Sequence, residues 1–99
     1  MSFSIVIDRR ALKDIQQAID YYDEQQSGLG KRFEMVLHKN LRLLQKNPFL
    51  QIRYDNIRCL PITRFPYMVH FTVDESRKII AIRAVFHTSR STKNWEKRK

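Results

Sequence analysis

The chain has 99 residues, of which 42% are hydrophobic and 29% charged, with a formal net charge of +9. That length supports one domain, residues 1–99, with one modest core. A single cysteine, Cys59, excludes an intrachain disulfide and a cysteine metal cluster. The lone cysteine is compatible with a reducing cytoplasm, the expected location, and no apolar run approaches the ~20 residues that cross a bilayer. The positive balance points to nucleic acid, a ribonucleoprotein or an acidic protein as partner. It is uneven: residues 1–50 carry eight Lys/Arg against six Asp/Glu, whereas residues 51–99 carry eleven against four.

Phe3, Ile5 and Ile7 alternate with Ser4, Val6 and Asp8, which predicts a first strand rather than a signal peptide. Asp8 stands where a helix N-cap belongs. Leu12, Ile15, Ala18, Ile19 and Tyr22 then follow helical spacing, predicting an amphipathic helix over 9–26. Ser27-Gly28-Leu29-Gly30 breaks it and holds both glycines of the protein. Phe33, Val36, Leu37, Leu41 and Leu44 mark a second helix over 30–46, ended by Asn47-Pro48. The short connection predicts an antiparallel helix pair. Asp20, Asp23 and Glu24 fall near the end of the first helix, a poor place for acids given the helix dipole, and are expected to pair with nearby lysines.

A strand is predicted over 57–62, with Pro61 marking an edge or irregularity. Two alternating apolar runs follow, 65–73 and 79–87, joined by the charged turn Asp74-Glu75-Ser76-Arg77-Lys78. The result is an α+β domain of order β-α-α-β-β-β, a three-strand meander needing a helical layer on one face. In the last strand, alternation groups Ile80, Ile82, Ala84 and Phe86 as the helix-facing set and Arg83, Val85 and His87 as the open set. His70 falls on the polar side with Met68 and Thr72 and is read as solvated or partner-facing. His38 is assigned no role. Three scattered histidines and the dispersed acids make no metal site, and neither a phosphate loop nor a nucleophile–histidine signature occurs, so no cofactor is expected.

Several segments in register resemble the RelE/ParE superfamily of toxins from bacterial type II toxin–antitoxin modules, especially the ParE-like plasmid stabilisation branch. They are Ala18-Ile19-Asp20-Tyr21-Tyr22, Gly30-Lys31-Arg32-Phe33, Asn47-Pro48, Arg64-Phe65-Pro66-Tyr67 and Ala84-Val85-Phe86-His87-Thr88-Ser89-Arg90. The resemblance covers about residues 3–95. It implies a small twisted antiparallel sheet with two helices on one side, growth inhibition, and a cognate antitoxin, expected to be acidic, that holds the toxin inactive. It also implies one of two targets: DNA gyrase for ParE-like members, or ribosome-bound mRNA, which RelE-like members cut without a metal.

RelE carries an arginine directly after the tyrosine of its third strand, where this chain has Met68 after Tyr67. RelE also has a late tyrosine, and none follows Tyr67 here. Both departures favour gyrase inhibition over mRNA cleavage, with a catalytically inert binding module as a third reading. Arg90 resembles a basic residue that RelE keeps after its last strand, and His87 the late histidine of YoeB-like nucleases. If the chain is a nuclease, His87 and Arg90 are its expected catalytic residues.

Under either mechanism Arg64, Arg83, His87 and Arg90 are the expected target-binding set. Arg83, His87 and Arg90 leave the last strand together, and an antiparallel hairpin should bring Arg64 near them. For His87 a structural role, capping or bonding backbone, stands beside target contact. A salt bridge is the alternative for Arg83. Arg53, Arg58 and Arg64 read either as a cationic rim or as a solvated face.

Overall fold

A computed structural model describes residues 2–89. The elements in chain order are β1 (Ser4–Ile7), α1 (Arg9–Gln25), α2 (Leu29–Lys46), β2 (Ile52–Tyr54), β3 (Ile57–Pro61), β4 (Tyr67–Asp74) and β5 (Ile79–His87). The strands form one sheet of order β1-β5-β4-β3-β2. The α+β architecture and the helical hairpin on one sheet face are as the pattern predicts.

Asp8 caps α1, its Oδ1 accepting the Arg10 N–H at 2.8 Å. The hairpin turn depends on both glycines. Gly28 has φ +88, a left-handed conformation open to glycine at little cost. Gly30 is where the helices touch: a Cβ there would collide with the Ile19 carbonyl oxygen. The Asp23 carboxylate accepts the Gly30 N–H at 2.8 Å. An acid at the end of α1 thus serves the N-terminus of α2, where an unpaired N–H and a favourable dipole await it. Asp20 accepts from Gln16 of its own helix. The expected lysine pairs are not what holds these two acids.

Two features of the sheet depart from the expected pattern. The first is β2, a three-residue strand outside the predicted set, which pairs antiparallel with β3 through Tyr54↔Ile57. Asp55, with φ +48, makes the reversal, a conformation that Asp and Asn tolerate better than most residues. This extra strand adds one reversal to the chain path. With it β1 and β5 run in the same direction and pair parallel, Ser4↔Ile79 to Ile7↔Ile82. The sheet is therefore mixed, where the resemblance implies an antiparallel one.

The second is a bulge in β5. Phe71 pairs with Ile82 but His70 pairs with Ala84, leaving Arg83 as an extra residue. A bulge shifts the two-residue alternation, so each side chain beyond it changes face. Ile80 and Ile82 do face the helices, and past the bulge Val85 joins them in the core with Phe33, Leu37, Val69 and Phe71. Ala84 and Phe86, expected to face the helices, turn to the opposite side, where the Phe86 ring meets His70 at 5.4 Å. His87 moves to the helix side and packs edge-on against Tyr67 at 5.2 Å.

The bulge is held from α1. Past the end of β1 the Val85 N–H would face no strand; the buried Asp14 carboxylate accepts it at 3.1 Å. One side chain thus extends the hydrogen-bond ladder and satisfies a buried donor.

Candidate functional site

Four of the five segments that carry the family resemblance, all but Asn47-Pro48, converge at one end of the sheet. Tyr22 from the end of α1 stacks on Phe33 from the start of α2, with ring centroids 5.5 Å apart. Phe65, in the β3–β4 turn, meets Tyr22 at 5.0 Å and Phe33 at 5.1 Å. Tyr67, opening β4, lies 5.3 Å from Phe33, and His87 closes the cluster from β5. Edge-to-face geometry dominates, the arrangement that aromatic quadrupoles favour. These residue types at these positions lock two helices and three strand ends together.

His87 sits on the rim of the cluster. Its Nδ1 accepts the Ser89 N–H at 3.1 Å and lies 2.7 Å from the Ser89 Oγ. An accepting Nδ1 leaves the proton of the neutral ring on Nε2. The Thr88 N–H bonds the Pro66 carbonyl at 2.8 Å, tying the exit of β5 to the β3–β4 turn. His87 therefore combines a structural hold on its neighbours with a ring edge at the surface.

The four residues expected to bind target divide among separate places. Arg83 stands at the bulge, half-buried and on the open side with Ala81. His87 lies on the helix side, so the two do not share a face. Arg64 is exposed in the β3–β4 turn with a left-handed backbone, φ +68. Its side chain lines a cavity with Val36, Lys39 and Leu43 of α2. Arg90 lies outside the described residues, as does Trp95. The arginine rim divides likewise: the Arg58 guanidinium lies 5.5 Å from the centre of the Phe49 ring, and Arg53 is close enough to Cys59 to act on its thiol.

The open side holds a polar cluster that the sequence reading missed. His70 is 1% exposed, not solvated. Its Nδ1 lies 3.1 Å from the Tyr54 hydroxyl and 3.4 Å from the Cys59 Sγ. Burial pushes the Tyr54 phenol up to about 12, with smaller contributions from Cys59 and Asp55. Burial also raises the Cys59 thiol, against a smaller lowering by Arg53. Both groups are thus protonated near neutral pH, and each lies within hydrogen-bond distance of the one imidazole nitrogen between them. The register pairs Cys59 with His70. The missed signal was the Asp55-Asn56 turn, which makes a strand of Ile52–Tyr54 and brings Tyr54 over that pair.

Among the described residues no group of three His, Cys, Asp or Glu side chains could hold a metal ion. No helix among them is long and apolar enough to cross a membrane.

A helical hairpin on one face of a small mixed sheet, clamped at one end by these aromatic motifs, defines a domain of the RelE/ParE toxin superfamily. Residues 5–92 match the model of the ParE toxin of type II toxin–antitoxin systems, parDE. The chain belongs to that family. Its fold is similar to a chain of the chromosomal ParDE system of P. aeruginosa, with TM-score 0.76 and 19% identity over 89% of this chain and 98% of that one. It is also similar to a mutant of the E. coli toxin RelE in the free state, with TM-score 0.69 and 17% identity over 97% and 94%. A chain of the RelBE2 toxin–antitoxin complex of Mycobacterium tuberculosis gives TM-score 0.64 and 12% identity over 88% and 99%. At such identities these likenesses establish the fold. No curated protein matches the chain in sequence.

Proposed function

We propose that this toxin acts as a ParE-like inhibitor of DNA gyrase in the cytoplasm and that a cognate acidic antitoxin holds it inactive. The observation that carries the choice of target is the bulge at Arg83. Metal-free RNA cleavage needs a base, an acid and cationic groups converging on one phosphodiester. The bulge instead places Arg83 and His87 on different sides of the sheet. His70 is buried, with Nδ1 between Tyr54 and Cys59. Met68, beside it in β4, cannot stabilise a phosphorane. The arrangement suits a surface that grips a target better than one that breaks a bond.

The antitoxin reading is supported by the family and by structural neighbours that are toxin–antitoxin complexes. A net charge of +9 would steer an acidic partner to the toxin and speed their association. Arg83, on the open side, is the proposed target contact; His87 and Arg64 contribute from the helix side, and Arg90, outside the described residues, completes the proposed set.

Two assays on the purified chain test the target. Gyrase supercoiling should be inhibited, and DNA cleaved by gyrase should accumulate. Primer extension on a translated message should show no cuts phased with codons. Codon-phased cuts that disappear in His87→Ala and Arg90→Ala would overturn the reading in favour of an mRNA endonuclease. Arg83→Glu should lower gyrase inhibition while leaving antitoxin binding in place.

A further inference from the structure

The two helices turn different charges to solvent. α1 carries Arg9, Arg10 and Lys13 against Asp14, Asp20, Asp23 and Glu24. α2 carries Lys31, Arg32, Lys39, Arg42 and Lys46 against the single acid Glu34. A helix turns by about 100° per residue. On that wheel Phe33, Leu37, Asn40, Leu41 and Leu44 form the buried stripe of α2. The five cations fall within about 100° of arc centred opposite that stripe. All five are exposed. Met35 is the only other residue in the arc, and Glu34, His38 and Gln45 lie to one side of it.

The charge of this face is not spent within the fold. Among the described residues none of the five cations forms an ion pair with an acid. Arg42 stands three residues from Lys39 and four from Lys46, spacings at which like charges cost a helix stability. An anionic partner would relieve that repulsion. Fifteen steps of 1.5 Å from Lys31 to Lys46 make the stripe roughly 22 Å long. Duplex DNA advances about 3.4 Å per base pair, so the stripe matches about six base pairs. Arg64 carries the charge past the helix, since it lines a cavity together with Lys39.

We propose that the outward face of α2 grips the phosphate backbone of duplex DNA, so that the toxin holds the DNA of a gyrase complex as well as the enzyme. The proposal rests on the gyrase reading above, which sets a duplex beside the protein target, and adds which side of the toxin meets it and by what chemistry. The residue types select the occupant. A protein interface has an apolar centre with few lysines, and Met35 is the one apolar side chain in this arc. A second copy of the chain would bring one basic α2 against another. A single strand is held by aromatic side chains that stack on its bases, and the one Phe, Tyr or Trp of α2 is Phe33, which is buried. A phosphate backbone needs only cations spaced along a straight, convex element. Such binding reads no base sequence and falls steeply with salt.

The probe is a short DNA duplex of mixed sequence, titrated with the full-length chain by fluorescence anisotropy over a range of salt concentrations. The logarithm of the binding constant should fall against the logarithm of salt with a slope of about −3, as for about three or four neutralised phosphates. Changing Lys39→Gln and Arg42→Gln together should flatten that slope by about two and weaken binding at low salt by about tenfold or more. The same variant should inhibit gyrase supercoiling severalfold less than wild type. Lys13→Gln with Arg77→Gln removes the same charge elsewhere and should leave slope and affinity close to wild type. All four side chains are exposed, so both variants should fold, and circular dichroism checks this. Equal weakening by the two pairs would show that net charge rather than this face draws the DNA, and would overturn the proposal. So would duplex RNA bound more tightly than the DNA through the same face, or polyglutamate bound as tightly. If wild type inhibits gyrase but does not bind the duplex at low salt, the proposal fails and the gyrase reading stands. If it binds the duplex through α2 but leaves gyrase untouched, the DNA face stands and the gyrase reading fails.

Discussion

The two faces of the sheet solve burial in different ways. The helix-facing side is dry: Phe33, Leu37, Val69, Phe71, Ile80, Ile82 and Val85 are all buried in one apolar cluster, with an aromatic clamp at its end. The open side buries polar atoms instead, the His70 imidazole between the Tyr54 hydroxyl and the Cys59 thiol. An apolar core tolerates small shifts, because dispersion and water exclusion are not directional. A buried imidazole is satisfied only at one geometry. The first face therefore supplies the bulk of stability, and the second fixes the register of the edge strands β2 and β3 against β4. The aromatic residues of the family motifs, Tyr22, Phe33, Phe65 and Tyr67, lie on the first face, whereas Ala84 and Phe86 face the second.

Removing a ring from the clamp should have the largest effect. Phe33 is fully buried and touches Tyr22, Phe65 and Tyr67. Phe33→Ala should cost about 3–5 kcal/mol, a large share of the stability of a domain this small. Urea denaturation measures it, and a loss below ~1 kcal/mol would show that the clamp is not what joins helices to sheet.

Gly30→Ala tests the contact between the helices. The new Cβ would meet backbone at Ile19 and the Asp23 carboxyl, which already accepts the Gly30 N–H. The Ile19 backbone cannot move without parting α1 from α2, and the Asp23 carboxylate moves only by giving up its bond to the Gly30 N–H. A destabilisation of roughly 1–3 kcal/mol is expected, despite the better helix propensity of alanine. A stabilised variant, read by thermal melting, would mean that the helices separate freely.

Asp14→Ala leaves the Val85 N–H at the bulge without its acceptor. The cost should be about 1–3 kcal/mol. Amide exchange gives the sharper readout: Val85 should lose protection while Phe71 keeps it. Equal protection in variant and wild type would show that the bulge needs no support from α1.

Most of this fold was legible because its signals are local. Both helices lie within a residue of the predicted bounds, since an N-cap, two glycines and Asn47-Pro48 mark their ends. The long strands followed from alternation. What escaped was non-local or short. Three residues of β2 hold too little pattern to predict a strand, and without it the direction of β1 relative to β5 comes out reversed. Alternation through Arg83 assumed an unbroken ladder, yet the bulge is stabilised by Asp14, 71 positions away from Val85. The candidate site suffered the same way. Arg83 and His87 read as neighbours on one face because nothing near them in sequence announces the bulge. His70 was assigned correctly to the open side, but its burial depends on Tyr54 from the strand that was missed.

The smallest expected effect separates the two faces by pH. The Tyr54 phenol is pushed up to about 12, chiefly by burial, against an ordinary value of about 10. Between those values the folded chain keeps a proton that the unfolded chain releases. Stability therefore falls as pH rises through that window and is fully present below it. Burial raises Cys59 as well, so its thiol acts in the same direction from a lower pH. Tyr54→Phe removes one of these protons along with the bond to His70 Nδ1. At neutral pH the variant should be less stable by about 1 kcal/mol, the net worth of one hydrogen bond. Above about pH 10 the gap to wild type should shrink, because wild type alone loses the phenol contribution. Thermal melts at neutral pH and near pH 10.5 measure both quantities. A gap that is constant or grows with pH would mean that Tyr54 keeps its ordinary acidity, and that its ring rather than its hydroxyl holds β2 to the sheet.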